Sequence, residues 1–158
     1  MSPYTPEELK AIVEAPILVG LAVAMADTGV VSTAIEVTAL STAIAGAAKK
    51  YPNNAIIQAA FSKEALGNNQ VKPAKPEITP EEARSGALVD RAIATANSTL
   101  TLLAHKASEA DIRQYKRFIY ECSAAVAEAA GSGLFGSGNK VSAKEAAALT
   151  KIKTGIGI

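Results

Sequence analysis

A chain of 158 residues is long enough to bury one sizeable core, and its formal net charge of +1 argues against a strong general polyanion binder while leaving room for local patches, so nucleic acid is not an expected partner. Aromatic residues make up 4% and tryptophan is absent, and the single cysteine, Cys122, excludes an intrachain disulfide and any cysteine-based metal knuckle. Alanine dominates the apolar set, while β-branched clusters and two-residue hairpin signals are missing, which points to an all-α class.

Thr5-Pro6-Glu7-Glu8 is a strong helix start: threonine caps, proline occupies the first position where its missing N–H costs nothing, and Glu8 can close a capping box. Leu9, Ile12, Pro16, Val19, Val23 and Ala26 then form one apolar stripe at 3-4 spacing. Ala15 to Ala26 is apolar almost all round, the signature of a central core helix. From Ala11 to Ala48 there is no basic residue, and the only acids are Glu14, Asp27 and Glu36. Pro16 removes a hydrogen bond and crowds the Ile12 carbonyl, so this helix is expected to bend or break near Glu14. A buried break must satisfy that carbonyl with water or a side chain, which makes Glu14 and Pro16 candidates for a pocket rim. Gly20 suggests a close helix crossing, and Asp27-Thr28-Gly29 ends the element.

A second helix is expected from about Val30 to Lys50, with Lys49 and Lys50 suiting its C-terminal dipole and Pro52 stopping it. Asn53 or Asn54 can cap a third, shorter helix carrying Ile56, Ile57, Ala60, Phe61 and Leu66. The stretch Gln70 to Ile78 reads as an exposed connector. Thr79-Pro80-Glu81-Glu82 repeats the opening tetrapeptide and starts a long fourth helix reaching about Lys106. Ser108 caps a fifth, whose stripe is Ile112, Tyr115, Ile119, Cys122, Val126 and Ala129, with Arg117 and Glu121 as an i,i+4 pair on its other side. A glycine-rich loop, Gly131 to Lys140, precedes a sixth helix capped by Ser142 with Glu145, and the tail from Gly155 is expected to be loose. The result is a single-domain bundle of about six helices around a central apolar one, with halves at about 5–66 and 79–154 joined by a linker at 67–78. The repeated TPEE raises an internal duplication of three helices plus three, against the alternative that TPEE is simply favoured at any helix start.

Few residues carry chemistry. Gly131-Ser132-Gly133-Leu134-Phe135-Gly136 is a literal GxGxxG, but no strand precedes it and no helix opens directly after it, so no nucleotide or other cofactor is expected there. His105, the only histidine, suits a helix C-terminus, and Cys122 lies on an apolar stripe. Asp27 and Glu36 interrupt apolar segments, and paired carboxylates in a low-dielectric site can bind a cation, with Glu145 as a further candidate. Their ordinary readings are a cap for Asp27 and an exposed face for Glu36. Pro16 to Ala26 is too short to span a bilayer, and Ala24-Met25-Ala26 mimics a signal-peptidase site on the wrong flank, Lys10 against Glu7 and Glu8; a cytoplasmic chain without a membrane span is expected.

Val23-Ala24-Met25-Ala26-Asp27-Thr28-Gly29-Val30-Val31, followed by Glu36, resembles the motif of small helical TerB-like (tellurite-resistance-associated) domains, in which an alanine-rich helix ends in Ala-Asp-Gly before a hydrophobic residue and an acid opening the next helix. Ala129-Ala130-Gly131, resumed at Val141-Ser142-Ala143-Lys144-Glu145, resembles a second copy. Thr28 is an insertion relative to that motif, and Ala130 stands where the family has an acid. The general pattern is also similar to small all-helical bacterial proteins. The resemblance implies a stress-related scaffold or binding domain, with the interhelical acids Asp27 and Glu36 as a cation or small-ligand site. From the residues themselves the expected function is non-enzymatic: a helical binding or scaffold protein acting as a homo-oligomer, since many Ala and Gly positions permit close helix packing.

Overall fold

The computed structural model describes residues 2–27, 34–67, 76–131 and 141–158. They form α1 (Pro6–Ala24), α2 (Ala34–Lys50), α3 (Ala55–Phe61), α4 (Lys63–Gly67), α5 (Pro80–Arg84), α6 (Ala87–Leu103), α7 (Glu109–Gly131) and α8 (Ala143–Ile156), with no strand among the described residues. The expected start of the second helix at Val30, the connector before Pro76 and the GxGxxG loop beyond Gly131 lie outside the described residues.

α1 is the central element. Leu9, Ile12, Val13, Ala15, Pro16, Leu18, Val19, Gly20, Ala22, Val23 and Ala24 are all buried, too many to share one face. They are covered by α7 and α6, its main partners, and by α3, α8 and α2. Thr5 caps the helix as expected: its hydroxyl accepts from the Glu8 N–H at 3.2 Å, and the Glu8 carboxylate accepts from the Thr5 N–H at 2.8 Å. Gly20 sits where α2 crosses, since a Cβ there would lie 2.7 Å from Leu40 Cδ1.

Of the bend or break expected at Pro16, the break does not occur: α1 runs unbroken from Pro6 to Ala24. The reason is a side chain from the far half of the chain. The buried Tyr115 hydroxyl of α7 donates to the Ile12 carbonyl at 2.7 Å, replacing the N–H that Pro16 lacks. At the preceding residue of α1, the buried Thr99 of α6 reaches the Ala11 carbonyl at 3.4 Å while donating to the Thr95 carbonyl at 3.0 Å.

Two expected helices are each divided. Ser62 takes an extended conformation (φ −65°, ψ 159°) between α3 and α4, and Leu66, expected on the same helix as Phe61, falls in α4 and is 42% exposed. Gly86, at φ +84°, separates α5 from α6, a left-handed backbone that glycine adopts without steric cost. The tail differs in the opposite sense. α8 continues to Ile156, which is buried, and Gly157 at φ +74° closes it while the Ile158 N–H donates to the Lys153 carbonyl at 3.1 Å. Asn97 of α6 donates to the Gly155 carbonyl at 3.0 Å, and a Cβ on Gly155 would lie 2.7 Å from Ile93 Cγ2, so the last turn of α8 is fastened to α6.

Polar anchors tie α3 and α2 to α7. Asn54, fully buried, caps α3 by accepting from the Ile57 N–H at 2.9 Å and donates to the Asp111 carbonyl and to Gln114 Oε1. The expected Arg117–Glu121 pair is not made. Glu121 instead accepts from Lys50 Nζ and from the Tyr51 hydroxyl, both at 2.8 Å, while Arg113 pairs with Glu109 at 3.6 Å. Among the described residues no buried side-chain nitrogen or oxygen lacks a hydrogen-bond partner.

Candidate functional site

The interhelical acids come from the turn just beyond α1, the first turn of α2 and the first turn of α8. Asp27 is exposed, whereas Glu36, expected on an exposed face, is 2% exposed. Glu145 closes the capping box of α8: its carboxylate accepts from the Ser142 N–H at 3.1 Å while its own N–H donates to the Ser142 hydroxyl at 3.2 Å. Burial pushes the Glu145 carboxyl above its ordinary value, the hydrogen bond from Ser142 opposes this, and the negative charges of Glu36 and Asp27 add to the rise. The sequence therefore names three acids that do converge electrostatically. Their spacing is another matter, for no group of three or more His, Cys, Asp or Glu side chains among the described residues is placed to hold a metal ion. What the arrangement does chemically is make proton uptake at Glu145 easier than in water.

Glu14 and Pro16 separate. Pro16 is buried in the core beside the Ile12–Tyr115 hydrogen bond, where the carbonyl it frees is answered by a hydroxyl, and it is not among the residues that line the cavity at Glu14. Glu14 is half-buried and lines a cavity of about 250 Å3 between α1 and α6, with Ile17, Leu18, Pro76, Arg91 and Thr95. The signal for Arg91 was faint in the sequence, since a basic residue in an amphipathic helix ordinarily faces water. Only the return of the chain at Glu77 and Glu82 brings acceptors to it.

His105 is exposed just beyond α6, while Cys122 is buried within α7, and no hydrogen bond joins them. Burial, with a smaller contribution from the Glu121 charge, pushes the Cys122 thiol well above its ordinary value, so the nucleophilic thiolate is suppressed there. Tyr115 is raised in the same way by burial. No helix among the described residues is long and apolar enough to cross a membrane. No protein-family model, curated protein or solved structure matches this chain.

Proposed function

We propose that the protein is a non-enzymatic helical binding or scaffold protein that acts as a homo-oligomer through the outer face of α2. The observation that carries this reading is the chemistry of that face. Between Glu36 and Lys49 the helix has no charged residue, yet Val37, Thr38, Ser41, Thr42, Ala45 and Gly46 are exposed, Val37 at 47%. A solvated helix ordinarily carries charge on its outer side, and three turns without any are what a packed face looks like. Gly46 supports the same reading. Glycine inside a helix costs about 1 kcal/mol relative to alanine, and a Cβ at Gly46 would meet nothing within 4 Å in this chain, so the fold itself gives no reason for it. A second backbone approaching closely does.

A second copy is the partner this face fits. The exposed Asp27 precedes α2 in the chain, and the exposed Lys49 lies in its last turn. An antiparallel pair of α2 helices sets each Lys49 beside the acidic end of its partner, which is the self-complementarity that a two-fold interface requires. Sedimentation at tens of micromolar tests the reading: the native protein is expected to sediment above the mass of one chain, and Thr42→Lys, which places a charge in the centre of the face, to return it to one chain with its helicity unchanged. A native protein that is strictly monomeric overturns the proposal.

A further inference from the structure

The cavity between α1 and α6 carries two opposite charges that are not paired with each other. Glu14 of α1 and Arg91 of α6 both line it, Thr95 follows Arg91 by about one turn, Ile17 and Leu18 make its aliphatic wall, and Pro76 completes the lining. Each charge is compensated from outside. Glu14 has Lys10 one turn back on its own helix, at 3.7 Å and largely exposed. Arg91 donates through Nη1 to the Glu77 carbonyl at 3.0 Å and to Glu82 at 3.1 and 3.4 Å.

The two pairings differ in what they leave available. The Lys10–Glu14 pair is long and its lysine is largely exposed, so exchanging Lys10 for another ammonium costs little. Arg91 is anchored by its contacts with Glu77 and Glu82, all made through one nitrogen. A guanidinium has five N–H donors in a planar fork, so the anchoring fixes the group without exhausting it. The cavity thus holds an acceptor and a preorganised donor on opposite helices across aliphatic surface.

We propose that this cavity binds a small zwitterion of amino-acid size, its ammonium on Glu14, its carboxylate on Arg91 and an aliphatic side chain against Ile17 and Leu18. The charge pattern selects this class. A simple anion would be drawn to Arg91 and repelled by Glu14, a simple cation the reverse, and a neutral apolar molecule would desolvate both charges without pairing either. Size agrees: about 250 Å3 is below the roughly 300–1,000 Å3 of sites that take drug-sized ligands and leaves room for a small molecule only.

Free leucine, N-acetyl-leucine and leucine amide, measured by calorimetry and by melting temperature with the full chain, test the assignment. Leucine is expected to bind and to raise the melting temperature, since a ligand that binds only the folded state must do so, and each blocked analogue to bind at least tenfold more weakly. Glu14→Gln is expected to lose at least tenfold in affinity for leucine and to stop discriminating against N-acetyl-leucine. This variant keeps the shape of the side chain and removes only the long pair with Lys10, so its fold is secure where that of an Arg91 variant, which also releases Glu82, is not. No heat and no melting shift with any of the three compounds at about 10 mM overturns the proposal. So do equal binding of leucine and its analogues, and unchanged leucine binding by Glu14→Gln.

Discussion

The tyrosine hydroxyl on the Ile12 carbonyl is a contact between residues 103 apart that repairs a local defect, and its worth can be measured. Tyr115→Phe keeps the buried ring but leaves the carbonyl without a partner, and a buried unsatisfied polar group costs about 1–3 kcal/mol. Pro16→Ala restores the helical N–H, so Tyr115→Phe made in that background is expected to cost clearly less than in the native one. Chemical denaturation of the four proteins in the cycle gives the coupling, and additivity would show that the hydroxyl does not serve the proline. Glu145 calls for a pH measurement. Its folded-state carboxyl lies above the unfolded one, so between the two values the native state holds more proton than the unfolded state. Stability contributed by this group therefore falls as pH rises through the window just above the ordinary carboxylate range, and is regained on acidification. Glu145→Gln, which keeps an acceptor for the Ser142 N–H, is expected to flatten that dependence and to be at least as stable as the native protein at neutral pH.

At the scale of elements, identical sequence gives unlike helices. Thr5-Pro6-Glu7-Glu8 opens a helix of 19 residues with a complete capping box. Thr79-Pro80-Glu81-Glu82 opens one of 5: Thr79 caps the Glu82 N–H, but the Glu82 carboxylate goes to Arg91, and Gly86 ends the run. The helix start was legible in both cases because capping is a local affair. The length was not, because Gly86 in a helical pattern reads as a modest cost and not as the left-handed stop it forms. The same limit applied to Gly155, which reads as a frayed tail until Ile93 is seen against it. Ile93 is β-branched and stiff at χ1, so it cannot readily move aside. Gly155→Ala is accordingly expected to destabilise by about 1–3 kcal/mol despite its better helix propensity, as judged from the thermal unfolding midpoint. A neutral or stabilising outcome would mean that the end of α8 is not clamped.

For the whole molecule, the all-α class and the central place of the Ala15–Ala26 segment were readable because an all-round apolar helix has nowhere else to go. The way the halves combine was not. α1 packs mainly on α6 and α7, which come from the second half of the chain, so the core is shared and not divided between two sub-bundles. Nor was the burial of Glu36 readable, since the alternation of small residues along α2 leaves both of its faces looking alike. That ambiguity has a thermodynamic test. If the outer face of α2 joins two copies, the melting temperature rises with protein concentration. Gly46→Ala is expected to stabilise the single chain by about 1 kcal/mol through helix propensity while weakening that concentration dependence. A variant that gains stability equally at every concentration would place the contact elsewhere.

The hydroxyl that mends α1 also endows the molecule with an optical reporter. With no tryptophan, the absorbance change of an alkaline titration comes from the four tyrosines, and the ring of Tyr115 is sealed in the core with burial holding its ionisation well above the ordinary value. Tyrosinate absorbance is therefore silent at this ring while α1 and α7 remain docked. In an alkaline titration its appearance marks the moment when the two helices part, a signal that needs no label and no engineered chromophore.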